Sequence, residues 1–244
     1  MPSATSPSPG VLIPRVQARA YFFDGGQALL EEAVRLEYGI ARDLSVSAEL
    51  PLYQGSLDAP RPSDGKFGLG DMSLLVELRI LREDLNAVDT VRVALFGGAE
   101  LPTGTAGFAG DSVNPVAGAV VSTILGRNGF DAAARYTFVT GDGMTNPIFV
   151  SDTADDFASL DLGYAFRLYP DAYGEEREAA WYATLELNST FTVGGEREVL
   201  LSPGLLIEAP RFAVELGLQI PVSSRLDGQP DLRLAAIAGL RLLF

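Results

Sequence analysis

Polar and apolar residues alternate one by one through most of this chain. In residues 231–244, Leu232, Leu234, Ala236, Ala238, Leu240, Leu242 and Phe244 fall on one face; Asp231, Arg233, Ala235, Ile237, Gly239, Arg241 and Leu243 fall on the other. A period of two marks a strand, and a face this evenly apolar needs apolar surroundings. Residues 211–222 repeat the pattern, with Phe212, Val214, Leu216, Leu218 and Ile220 opposing Glu215, Gly217 and Gln219. In 156–169, Leu160, Leu162, Tyr164, Phe166 and Leu168 oppose Ser159, Asp161, Gly163 and Arg167. In 69–82, Met72, Leu74, Val76, Leu78 and Ile80 oppose Asp71, Glu77 and Arg79.

Read against turn signals, the alternation predicts twelve strands, at 15–24, 29–41, 43–53, 69–82, 89–101, 114–126, 129–141, 156–169, 178–193, 198–208, 211–222 and 231–244. Residues 28–37 also admit a helical turn, which the hairpin pattern around them overrides. Strands of globular proteins average about 5–6 residues, whereas a tilted membrane-spanning strand needs about 9–11. Nearly all of these are that long. The connections alternate too: 41–44, 126–130 and 208–212 are tight, while 53–68, 102–113 and 141–156 are long and polar. Short turns at one end and long loops at the other are the asymmetry of outer-membrane barrels, with the short turns periplasmic. The expected fold is all-β, a transmembrane antiparallel up-and-down β-barrel of about twelve strands, in a range of about ten to fourteen. It would span residues 15–244, behind a disordered Ser/Pro-rich tail at 1–14.

Composition narrows the chemistry. No run approaches the roughly 18 apolar residues of a spanning helix. The chain has no Cys and no His. Disulfides, thiolate metal sites and a Ser-His-acid triad are therefore excluded, and no enzyme activity, metal or cofactor is expected. A net charge of −14 argues against nucleic acid as a partner. Apart from Lys66, every basic side chain is Arg. Arg is the cation suited to fixed, multiply bonded pairing, although GC-rich coding has the same effect. The opening MPSATSPSPG has neither the basic nor the apolar segment of a signal peptide. The expected location is the Gram-negative outer membrane, with any signal peptide already removed.

Aromatics gather near strand ends: Tyr21, Phe22, Phe23, Tyr38, Tyr53, Tyr169, Trp181, Tyr182, Phe191, Phe212 and Phe244. That is the distribution of interfacial girdles. Phe244 would close the last strand at its lipid-facing rim, and a terminal aromatic resembles the signal read by the barrel-assembly machinery. GLGDMSLLVELRIL (68–81), AELPTG (99–104), the hairpin YGIARDLSVSAELPLY (38–53), LLSPGLLIE (200–208) and the final GLRLLF stand in the order seen in one outer-membrane family. The chain resembles that family, associated with the meta-cleavage pathway of phenol degradation, over most of residues 29–244. The resemblance implies a barrel and a transporter- or porin-like role for small, often hydrophobic compounds. GLGD is no phosphate loop, because no helix follows and a third glycine is missing. Its glycines would let the chain enter a strand, with Asp71 facing inward.

The candidate site is the lumen. Its expected charges are Arg19, Arg35, Glu37, Glu49, Glu77, Arg79, Arg92, Glu100, Asp131, Arg135, Asp161, Arg167, Glu186, Glu215, Arg233 and Arg241. They would either line a pore with a transverse field or pair internally and rigidify the barrel, the second being favoured. Loop midpoints suggest Glu77 near Arg92 and Arg135 facing Asp161. Two strands are apolar on both faces, which puts Val116, Val120, Ile124, Leu200 and Leu206 in an apolar lumen wall. That wall would pass hydrophobic solutes or receive the N-terminal tail or a partner. The acid-rich loop with Asp142, Asp152, Asp155 and Asp156 matches no calcium loop and reads as solvated, although divalent ions could bridge it to lipopolysaccharide. Passive passage of small molecules, hydrophobic ones included, is the leading functional expectation. A non-conducting barrel, or a sleeve for a periplasmic partner, is the alternative. A soluble carbohydrate-binding sandwich ranks below both. Expected partners are outer-membrane lipid, lipopolysaccharide, the assembly machinery and small solutes.

Overall fold

The computed structural model describes residues 4–56, 67–105, 108–141, 155–172, 179–226 and 231–243. Thirteen strand segments follow one another: β1 (Leu12–Phe23), β2 (Ala28–Ala41), β3 (Leu44–Ser56), β4 (Phe67–Leu69), β5 (Met72–Asp84), β6 (Thr90–Leu101), β7 (Asn114–Leu125), β8 (Asn128–Thr137), β9 (Phe157–Tyr169), β10 (Ala180–Thr192), β11 (Arg197–Glu208), β12 (Phe212–Arg225) and β13 (Leu232–Leu242). Apart from β4 and β5, which do not pair with each other, each pairs antiparallel with its neighbours in sequence. β1 also pairs with β13, which closes the sheet. Both β4 and β5 pair with β3, so they form one stave interrupted at Gly70 and Asp71. The result is a closed barrel of twelve staves, as the alternation predicts.

Register fixes which face turns inward. Arg15, Gln17, Arg19 and Tyr21 of β1 stand opposite Arg35, Ala33, Glu31 and Leu29 of β2, and all of these point into the barrel. The other face is apolar and exposed: Val76, Leu78 and Ile80 on β5, Leu160, Leu162 and Leu168 on β9, Leu216, Leu218 and Ile220 on β12. A continuous belt of this kind is far larger than the apolar patch a water-soluble chain leaves uncovered, and it fits hydrocarbon. At β5 the register slips between Arg79 and Leu81. The slip turns both Ile80 and Leu81 outward and leaves Arg79 opposite Ala94 and Arg82 opposite Arg92.

The boundaries differ from the alternation where side-chain bonds intervene. β1 begins at Leu12, not Arg15, because β2 is long enough to pair Leu12 with Tyr38. β8 ends at Thr137, where Asp156, just ahead of β9, captures the backbone that leaves β8: Val139 N–H donates to its Oδ1 at 2.7 Å and the Tyr136 hydroxyl to its Oδ2 at 3.0 Å. That carboxylate closes the base of the acid-rich loop, whose Asp142 and Asp152 lie outside the described residues. Residues 28–37 are strand throughout.

Candidate functional site

The lumen holds a second structure besides its wall. Residues 4–11, expected to be a free tail, fold back inside the barrel from the end that carries the short turns. Gly10 N–H donates to the Gly39 carbonyl at 2.8 Å, and Gly39 N–H donates to the Val11 carbonyl at 3.0 Å. Gly39 is needed there, because a Cβ at this position would collide with the carbonyl oxygens of Pro7 and Ser8. Further in, the Ser6 hydroxyl donates to Glu77 at 3.3 Å, and Ala4 N–H donates to Ser122 Oγ at 2.9 Å. Ala4 is fully buried among Ala94, Phe96, Val116, Val120 and Ala133. This strap thus covers the apolar wall of β7.

Most of the expected lumen charges face inward and find partners. Arg135 pairs with Glu100, Arg19 with Glu31 at 3.6 Å, Arg35 with Glu49 at 3.8 Å, and Arg241 with Glu208 at 3.1 Å. Glu215 is bonded by Arg15 at 2.5 Å and by Gln17. Arg79, nearly buried, holds Asp43 at 2.8 Å and the Arg42 carbonyl at 2.5 Å. Several acids rest on neutral donors: Asp131 on Ser122, Asp161 on Asn188 at 3.0 Å, Glu37 on Ser45 at 3.3 Å. Asp131 and Glu186 flank Gly163 in one row. Arg167 is buried on the inner face near the short turns, where its carbonyl accepts Arg127 Nε–H at 2.8 Å.

Other expectations need correction. Arg233 is outside the lumen: a register shift at Phe22 and Phe23 turns Leu232 inward, and Arg233 pairs with Asp24 on the exposed rim. Glu77 stands opposite Phe96, and Arg92 opposite Arg82, so these two do not meet. Arg135 is engaged by Glu100, while Asp161 lies opposite Ala133 and Asn188. The five apolar wall residues do not form one wall. Val116 and Val120 lie under the strap, Leu200 joins an apolar cluster at the loop end, Leu206 lines a polar cavity, and Ile124 is exposed at the rim. Tyr21, Phe23 and Tyr53 are not girdle residues but are buried inside. Phe22, Tyr38, Tyr169, Trp181, Phe191 and Phe212 are exposed on the lipid side. Phe244 lies outside the described residues.

The sequence reasoning missed Arg15, Gln17 and Glu31, although their odd-numbered alternation with Arg19 carried the signal. It also missed Phe108, a single aromatic in a loop, for which no periodic signal exists.

Beside the strap, three cavities share walls. The widest, about 350 Å³, is lined by Arg19, Glu31, Arg35, Glu49, Glu100 and Arg135 among others. It shares Arg15, Gln17, Arg19, Asn188 and Gln219 with one of about 140 Å³. That in turn shares Arg15, Thr184, Glu186, Leu206 and Glu215 with a third, of about 170 Å³, reaching Arg241 near the short turns. A polar run thus leads from a wide chamber bounded by β1–β3, β5, β6, β8–β10 and β12 into a narrower stretch lined mainly by β1 and β9–β13. Among the described residues, no group of three acidic side chains is placed to hold a metal ion.

Solved structures with the same architecture include an outer-membrane channel and a porin. The chain is similar to a COG4313 outer membrane channel from Pseudomonas putida F1, with a TM-score of 0.62 and 14% identity over 99% of this chain and 98% of that one. It is similar to the NanC porin at TM-score 0.55 and 10% identity, covering 96% and 100% of the two chains. LpxR from Salmonella typhimurium matches at TM-score 0.51 and 10% identity, again over 96% and 100%. No protein-family model and no curated protein matches the sequence. The likeness is one of fold: a closed antiparallel barrel of the outer-membrane type. The link to phenol meta-cleavage rests on the sequence motifs alone.

Proposed function

We propose that this chain sits in the Gram-negative outer membrane and lets small molecules pass passively, without catalysis, along the polar cavities of its lumen. The observation that carries the reading is the run of three cavities with shared walls, lined by guanidinium–carboxylate pairs. Fixed, paired charges of both signs present donors and acceptors to a solute without burying an uncompensated ion. Small solutes with at least one polar face suit this lining. A wholly apolar solute is offered no continuous greasy wall, since Val116 and Val120 lie beneath Ala4. Outer-membrane lipid, lipopolysaccharide and the assembly machinery are the partners such a barrel would meet.

A second reading has support of its own: the strap and the extensive internal pairing also suit a sealed barrel or a sleeve for a periplasmic partner. Planar-bilayer recording and liposome swelling on the detergent-refolded protein separate the two. Steady small openings, and swelling with small neutral or zwitterionic solutes, are expected. Silence in both assays, from protein shown to migrate as a folded barrel, would leave the sealed barrel as the function.

A further inference from the structure

Near the loop end of the lumen a group of inward side chains packs together. Residues there face inward, yet Tyr21, Phe23, Leu29, Tyr53, Leu200 and Leu232 are buried in one apolar cluster. The covering member is Phe108, from the loop between β6 and β7, whose ring stacks on Tyr53 with centroids 6.0 Å apart and planes 6° apart. An inward aromatic at an open mouth would be wet. This one is 6% exposed.

The stave interruption at Gly70 and Asp71 builds the seat for that loop. Gly68 leaves the space that the Phe108 ring and Thr105 Oγ1 occupy, and Gly70 leaves the space for the Tyr53 ring. Asp71 follows directly. Its Oδ1 accepts Gly104 N–H at 3.2 Å and its Oδ2 accepts Gly110 N–H at 2.6 Å, so one carboxylate grips the loop on both sides of Phe108. Thr103 Oγ1 accepts Met72 N–H at 2.9 Å, Thr105 N–H donates to the Leu69 carbonyl at 2.8 Å, and Leu69 N–H donates to Thr105 Oγ1 at 3.0 Å. The GLGD and PTG stretches, 33 residues apart at Asp71 and Gly104, are therefore the two halves of one fastening.

We propose that Phe108, with residues 103–105 and 108–110 that fasten it, is the outer gate of the lumen, its ring the blade and Asp71 the latch. Bonds to backbone N–H groups from a single carboxylate can release together, whereas the barrel staves cannot separate without losing whole ladders. The proposal rests on the passage reading for its purpose, but not for its test. The chain has no cysteine, so an introduced one reports alone. Leu200→Cys, in the same buried cluster, is treated in the folded full-length barrel with a bulky, charged thiol reagent. Labelling should be slow in this background. It should become roughly tenfold faster with Asp71→Asn, as loss of one or two net hydrogen bonds would give, and faster as well with Phe108→Ala, which removes the covering ring. Thr105→Val serves as a second latch variant if Asp71→Asn does not refold. Equal labelling with and without these changes, in barrels of unchanged heat-modifiable migration, would overturn the gate. Bilayer recording runs in parallel: if the parent barrel conducts, Phe108→Ala should enlarge the openings, and an unchanged conductance in a barrel that conducts also counts against the gate. If every variant is silent while labelling still depends on the lid, the passage reading fails and the gate stands.

Discussion

At Gly118 the inner wall carries no side chain, and the ring of Phe96 fills the place where a Cβ would be. Gly239 makes the same room for the Glu215 carboxylate. Lumen residues in this barrel are thus chosen in pairs, one large or charged and one absent. The charges follow the same logic. Glu100 is only 12% exposed and owes its compensation to Arg135. Replacing Arg135 by Met strands that carboxylate, and a cost of about 3 kcal/mol is expected, the low end for breaking a buried pair because Arg135 keeps some solvent. The double change Arg135→Met with Glu100→Gln should recover most of the loss. Urea-unfolding midpoints of the refolded barrel in detergent measure both, and a double variant no more stable than Arg135→Met would show that the pair is not what holds this wall.

The hairpins at the short-turn end are tied to one another as well as closed. Asp89, in the turn between β5 and β6, accepts Gly126 N–H of the β7–β8 turn at 2.5 Å and Asn86 Nδ2–H at 2.7 Å. The Gly126 bond first, and the Asn86 bond after it, hold this carboxylate below its ordinary pKa. The folded barrel therefore prefers the ionised form. The staple's contribution is complete above the ordinary Asp value of about 4 and disappears as pH falls through the lower folded value. Thermal midpoints of wild type and Asp89→Asn should differ at neutral pH and converge toward pH 2. A constant difference across that range would mean that Asp89 acts by something other than its charge.

On the scale of the whole molecule, the strap covers the apolar patch of Ala94, Phe96, Val116, Val120 and Ala133 and leaves the polar cavities beside it. Gly39 is the point where it enters. Gly39→Val should push the carbonyls of Pro7 and Ser8 off the wall without altering the outward face. With Ser6→Cys as reporter, thiol labelling should rise roughly tenfold over the same reporter with Gly39 intact, as a loss of about two net hydrogen bonds implies. Unchanged labelling would mean that contacts deeper in, at Ala4, hold the strap by themselves.

How much of this was legible in the alternation follows from what alternation encodes. A period of two assigns every strand residue to one of two faces, so the closed antiparallel barrel, its apolar exterior and the inward turn of Arg19, Glu100, Arg135 and Glu215 were all determined by sequence order. Alternation fails where a bulge shifts parity, as at Arg233, or where the strand is near its end, as at Ile124. It also cannot say which of two faces an aromatic at a strand end takes, so Tyr21, Phe23 and Tyr53 read as girdle when they are buried inside. Partners across the lumen are beyond it altogether, because they depend on tilt and stagger around the closed ring. That is why Arg135 meets Glu100 instead of Asp161. Residues with no period, the strap at 4–11 and Phe108, were placed by tertiary structure alone: each is held by groups that only the closed barrel brings within reach.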